Sequence, residues 1–392
     1  MSQTVDLEEK VLRQAWVEVD LDAIEHNIRE IKKYIGDTEL LVVVKADAYG
    51  LGAVQVSRLL AELGVDRLGV VLLDEAIELR RAGIKIPIVN MGPILPHHAK
   101  WVVDYDIEQM VFRENVITAI SSEAKRRDKI ARLHLKIDTG MSRYGVPHQT
   151  ALDFYVSVSH LPNLEFVGVM SHFAMSDALD KSYARLQLER FSEARRAFQD
   201  GGDYITPWHI SNSGGMLDMI DAHLGMVRVG LTAYGYFPSE DVVRPFELKP
   251  AMSVRAKIVA ERTVQRGDSV GYGRRYIADK TERIGILPIG YADGYNRKLR
   301  DHAYVLNNGK IPVVGGLCMD ACFVNLTEFP HLGVGDTVTL MGGDLKNDIS
   351  PHDIAAWIGS VSYEVMSGFG RRLARVFLRK NRIQEIRNTL ID

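Results

Sequence analysis

Short aliphatic runs alternate with helix-length amphipathic stretches through the first 245 residues. Leu40-Leu41-Val42-Val43-Val44 precedes a helical stretch through Val54, Leu59 and Leu60. Leu68-Gly69-Val70-Val71 precedes the stretch Asp74 to Ala82, in and just before which Leu73, Ile77 and Leu79 are apolar. Further strands are predicted at Ile86 to Met91, Glu108 to Phe112, Leu133 to Ile137, Phe166 to Met170, Trp208 to Ser211 and Met226 to Val229. Most are separated by a segment of helix length, such as Tyr183 to Phe198. Strands so continuously apolar are covered on both faces, as in parallel sheets wrapped by helices. About eight strand–helix units predict an α/β fold with a closed (β/α)8, TIM-type barrel, the open doubly wound sheet being the alternative.

Past about Pro245 the rhythm changes, and strand-like runs are cut by turns at Arg266-Gly267-Asp268, Asn307-Asn308-Gly309 and Gly333-Val334-Gly335-Asp336. Asn308-Gly309 predicts a hairpin, because both residues tolerate the positive φ of a tight turn. Ser350 and Pro351 predict a helix to Ile358, with Ser350 as its cap and the proline in its first turn. The chain thus divides into a barrel over 14–245 and a mostly-β C-terminal domain over 246–392. Trp16 to Asp20 reads as an extra strand before the barrel, open to pairing with the second domain.

Composition narrows the picture by exclusion. The 392 residues are 46% hydrophobic and 25% charged, with a formal net charge of −3. That charge gives no footprint for nucleic acid or a membrane surface. No apolar run reaches the roughly 18 residues of a membrane span. The acidic start, Met1 to Glu9, lacks the apolar segment of an export signal, so a cytoplasmic location is expected. The two cysteines, Cys318 and Cys322, are too closely spaced for a structural disulfide and have no nearby His for a metal site. They read as reduced thiols, and no metal is expected.

The unusual polar residues fall at strand ends, where parallel barrels gather their active sites. Lys45 follows the aliphatic run Leu40 to Val44, His172 follows Val167 to Met170, Asn212 and Ser213 follow the next strand, and Arg228 lies in the last. A lysine there is costly to bury as an ammonium, but has a reason to sit there if it shifts its pKa and forms an imine. A snorkelling surface lysine, a satisfied core histidine and a structural ion pair remain the plain alternatives for Lys45, His172 and Arg228.

The ordered motifs resemble those of the alanine racemase family. Val43 to Gly50 is similar to its cofactor-lysine segment, with Asp47 where Asn is more usual. Lys136 to Arg143 is similar to its substrate-arginine segment, with Ser142 where Gly is more usual. His172-Phe173, His209 to Ser213, Val227 to Gly230, Gly271-Tyr272-Gly273, Gly290 to Gly294, Cys318-Met319-Asp320 and Tyr363-Glu364-Val365 follow in order. The resemblance covers the chain from Trp16 onward.

That resemblance implies pyridoxal 5'-phosphate as cofactor, alanine as substrate, D-alanine supply for peptidoglycan, and a homodimer with active sites shared between chains. Lys45 would anchor the cofactor and act as one catalytic base, with Tyr272 of the partner subunit as the other. Tyr49, His172, Asn212, Ser213, Arg228, Gly230, Leu231 and Tyr363 would hold the cofactor. Arg143, Met319, Tyr291, Cys318 and Asp320 would form the substrate side, and Lys136 is a candidate for carbamylation. Arg228 would face the pyridine nitrogen and, being always charged, leave it unprotonated. The alternatives are a serine or broader-specificity racemase, a basic-amino-acid decarboxylase, and a non-catalytic pyridoxal-phosphate homeostasis protein. Arg228 and the Gly-Tyr-Gly turn argue against the decarboxylase; the second domain argues against the carrier.

Overall fold

A computed structural model describes residues 7, 10–300, 302–344 and 347–392. The acidic start therefore lies outside the described residues, apart from Leu7. The chain separates into two compact units, one of residues 25–48 and 53–249, the other of residues up to 24, 49–52 and from 250 onward.

The first unit is a parallel barrel. Its strands run side by side in the order Met226–Val229, Glu39–Val43, Arg67–Val70, Ile88–Asn90, Glu108–Val111, Ala131–Asp138, Leu164–Met170 and Trp208–His209. Every neighbouring pair in that order is parallel. The sheet's two ends meet where Gly225 N–H donates to the Trp208 carbonyl at 3.1 Å and Arg228 N–H to the Ser211 carbonyl at 3.0 Å. The open-sheet alternative is thereby removed.

Helices cover the barrel through stripes of period 3.6. In Ser182–Asp200 the residues Ala184, Leu188, Phe191, Ala194 and Phe198 are buried. Phe191 and Phe198 meet Trp208 with ring centroids 5.0 and 5.3 Å apart. The barrel wall also buries polar side chains that find partners, as burial favours. Asn90 Nδ2 donates to Gln109 Oε1 at 2.8 Å, and Gln109 Nε2 to the Gly92 carbonyl at 2.9 Å.

The second unit is built on an 11-stranded sheet. Ala15–Asp20 lies inside it, antiparallel to Met252–Lys257 and parallel to Ala374–Arg379, with Trp16 opposite Arg255 and Ala374. Tyr304–Leu306 and Lys310–Val314 form the hairpin expected around Asn308-Gly309, with Asn308 at φ 51°. The helix Pro351–Ile358 begins at Ser350, whose side chain accepts from the Asp353 amide at 3.1 Å.

Candidate active site

Nine of the expected site residues lie in the barrel unit: Lys45, Lys136, Arg143, His172, Asn212, Ser213, Arg228, Gly230 and Leu231. Seven lie in the second unit: Tyr49, Tyr272, Tyr291, Cys318, Met319, Asp320 and Tyr363.

Lys45 is half-buried just beyond the strand Glu39–Val43. Burial, reinforced by the Arg143 guanidinium and opposed by Glu75, lowers its pKa from the ordinary lysine value. The chain then makes a turn that nothing in the sequence announces. Ala46, Asp47, Ala48 and Tyr49 all take φ between 52° and 57°. Four non-glycine residues in this left-handed region cost about 1–2 kcal/mol each. Local bonds hold the turn: Glu75 Oε1 accepts from Ala46 N–H at 2.7 Å, and Asp47 Oδ1 from Ala53 N–H at 2.7 Å.

Arg228 is buried and makes five hydrogen bonds. Nη2 donates to His172 Nδ1 at 2.9 Å and to the Ser171 and Ile210 carbonyls. Nη1 donates to His209 Nδ1 at 2.9 Å and to the His209 carbonyl. Arginine only donates, so both imidazoles must accept through Nδ1 and carry their proton on Nε2. Burial, with Arg143, brings the guanidinium down to about 9, which leaves it charged at neutral pH. Burial and the Arg228 charge press His172 and His209 well below the ordinary histidine value.

The same tautomer logic runs on through the barrel. His209 Nε2 lies 3.1 Å from His134 Nδ1, and His134 Nε2 lies 2.9 Å from Glu108 Oε2. Arg67 Nε donates to that same Glu108 oxygen at 3.1 Å, and Arg67 also pairs with Glu39. A carboxylate thus reaches Arg228 through two neutral histidines. A reading of the sequence passes over His134 and Glu108; the available signal is that His134 and Lys136 share one face of Ala131–Asp138. Lys136 is itself buried, and burial with the charges of Arg228 and Arg143 drives its pKa well below the lysine value.

Arg143 is exposed beyond that strand, in a turn gathered by Asp138 Oδ1, which accepts from the Gly140 and Ser142 amides at 2.9 and 3.1 Å. Ser142 takes φ 56°, a conformation glycine adopts without strain, which accounts for glycine as the more usual residue in such a segment. Asn212 caps the short helix Ser213–Asp218, its Oδ1 accepting from Gly215 N–H at 3.0 Å and Ser176 Oγ–H at 2.6 Å. Ser213 Oγ accepts from Gly230 N–H at 3.2 Å. An amine of lowered proton affinity, a hydroxyl, backbone amides and a charged guanidinium suit an aldehyde-bearing phosphate ester. Among the described residues no group of three His, Cys, Asp or Glu suits a metal ion.

In the second unit, the Tyr49 and Tyr363 rings lie with centroids 6.1 Å apart, and burial raises the Tyr49 phenol. Tyr272 is 74% exposed in its own chain. It projects from a turn between Gly271 at φ 71° and Gly273 at φ 75°. A Cβ on Gly271 would stand 2.7 Å from the Gly316 carbonyl oxygen, so the turn admits only glycine there. Tyr291 and Met319 are also exposed, and their loops are joined by Tyr291 N–H to the Cys318 carbonyl and Ala292 N–H to the Met319 carbonyl, at 3.2 and 3.1 Å. No helix among the described residues is long and apolar enough to cross a membrane.

Comparison with known proteins agrees across the full length. The alanine racemase N-terminal domain family matches residues 19–238, and the C-terminal domain family residues 251–377. The chain is 38% identical to the alanine racemase of Clostridium tetani over 383 residues, 97% of this chain and 99% of that one. The alanine racemase from Bacillus anthracis with bound L-Ala-P superposes with TM-score 0.91 at 33% identity, covering 96% of this chain and 98% of that one. The Bartonella henselae alanine racemase with covalently bound pyridoxal phosphate superposes with TM-score 0.82 at 25% identity, covering 93% and 99%. The chain belongs to the alanine racemase family.

Proposed function

We propose that the protein is a cytoplasmic, homodimeric racemase that interconverts L- and D-alanine with pyridoxal 5'-phosphate and supplies D-alanine for peptidoglycan. The observation that carries this reading is that one barrel holds a half-buried Lys45 just past its strand and an arginine held by two neutral imidazoles, with both charges acting on His172. Lys45, Tyr49, His172, Asn212, Ser213, Arg228, Gly230, Leu231 and Tyr363 would hold the cofactor. When bound, it supplies the electron sink that makes the α-proton of alanine acidic.

The chain's residues do the rest. Lys45 Nζ, with a lowered proton affinity, holds or releases a proton on one face of the α-carbon. Tyr272 of the partner subunit does so on the other, and its exposure in its own chain supports a role across an interface. Arg143 and the partner subunit's Met319 amide bind the carboxylate, with Cys318 and Asp320 flanking that amide. Tyr291 and Tyr363 narrow the space for the substrate side chain. Lys136, buried beside two guanidiniums that lower its proton affinity, is in surroundings that favour an anion, which supports a carbamate on its nitrogen.

The test is the purified protein's absorbance with added cofactor, followed by turnover of D- and L-alanine, serine and lysine. Alanine is expected to racemise in both directions, and Lys45→Ala is expected to lose the visible absorbance of the bound cofactor. Retention of that absorbance by Lys45→Ala would remove Lys45 as the anchor. Cofactor binding without turnover would make the protein a carrier, and faster turnover of serine or lysine would reassign the substrate.

A further inference from the structure

Four charged side chains lock the two loops that carry Tyr291 and Met319. Asp293 closes the first, its Oδ2 accepting the Gly290 amide at 2.8 Å. Its carboxylate is fully buried, so it requires cationic partners. Arg13 grips it as a fork, Nη1 to Oδ1 at 2.5 Å and Nη2 to Oδ2 at 2.8 Å. The same guanidinium donates through Nε to the Pro288 carbonyl at 2.8 Å and through Nη2 to the Asp320 carbonyl at 3.1 Å. Arg372 braces the other side, 2.6 Å from Asp320 Oδ1 and 3.4 Å from Asp293 Oδ1. One arginine therefore bonds a residue before Tyr291, a residue after it, and the residue following Met319.

The loops meet closely enough to transmit this. A Cβ on Gly290 would collide with the backbone of Cys318 and Met319. A planar fork fixes both distance and direction, which a lysine's single ammonium cannot reproduce.

We propose that Arg13 is a positioning residue for the substrate side of the site. With Asp293 and Arg372 it sets the Met319 amide and the Tyr291 ring in place, across 280 residues of sequence from Asp293. The proposal rests on the reading of Met319 and Tyr291 as substrate-facing. It gives a role to the segment before the first strand, which the motifs leave without one.

The test compares the full-length, cofactor-loaded protein with Arg13→Gln and Arg13→Lys, the latter retaining charge should the former fail to fold. Amide exchange is measured over 288–294, 316–322 and, as a control, 350–358. In Arg13→Gln the first two segments are expected to exchange about tenfold faster with the control unchanged. The KM for alanine is expected to rise about tenfold while the cofactor dissociation constant stays within about twofold. Arg13→Lys should fall between Arg13→Gln and wild type. Wild-type protection of both loops in the variants would overturn the clamp. Faster exchange with unchanged KM and kcat would overturn the positioning role. A wild-type chain that does not turn over alanine would instead overturn the functional reading, and the substrate assignment with it, while the exchange result still decides whether the clamp exists.

Discussion

Backbone conformation at single residues separates what the sequence shows from what folding imposes. Lys45 is legible because an aliphatic run ends on a charge. The left-handed turn after it is not, since Ala46, Asp47 and Ala48 have no local preference for positive φ beyond the modest tolerance of Asp. Ser142 lies between these cases: its motif usually carries glycine, and its φ of 56° gives the reason. Ser142→Gly should therefore stabilise the protein, by about 0.5–1 kcal/mol, the relief of left-handed strain exceeding glycine's entropic cost. Urea unfolding measures it; a loss of stability would mean that the serine side chain compensates the strain.

Strands and helices were legible wherever the information is local. Met226–Val229 matches its predicted bounds, Ser350 caps its helix, and Asn308-Gly309 turns its hairpin. Trp208–His209 is shorter than the predicted Trp208 to Ser211, although the Ser211 carbonyl still accepts from Arg228 N–H at 3.0 Å where the barrel closes. The relay from Glu108 through His134 and His209 to Arg228 joins four strands, and no single strand's pattern contains it. Glu108→Gln would leave Arg67 and the histidines without their buried anion. A loss of about 3 kcal/mol or more is expected on unfolding in urea, and a loss near zero would show the relay to be incidental. The depressed histidines fix the sign of a pH dependence. Between the ordinary value of 6.5 and the lower folded values of His172 and His209, the unfolded chain binds more protons. Stability is thus complete above 6.5 and declines as pH falls below it. An unfolding midpoint that rises on acidification through that range would contradict the assignment.

For the whole molecule, the two-part architecture is legible from the change in rhythm near Pro245. The place of Ala15–Asp20 between Met252–Lys257 and Ala374–Arg379 is a long-range pairing that a short strand leaves open. The proposed sharing of sites is a property of two chains. Mixing Lys45→Ala chains with Tyr272→Ala chains should restore up to about a quarter to a half of the activity per site, since a mixed dimer assembles one intact site from two damaged chains. No recovery in verified mixed dimers would place both bases on one chain.

Tyr272, set outward between two glycines, carries this into genetics. A cell holding one gene copy without the lysine and one without the tyrosine would still make D-alanine, though neither copy alone could. Loss-of-function alleles would then fall into two complementing groups, according to which unit of the chain each one damages.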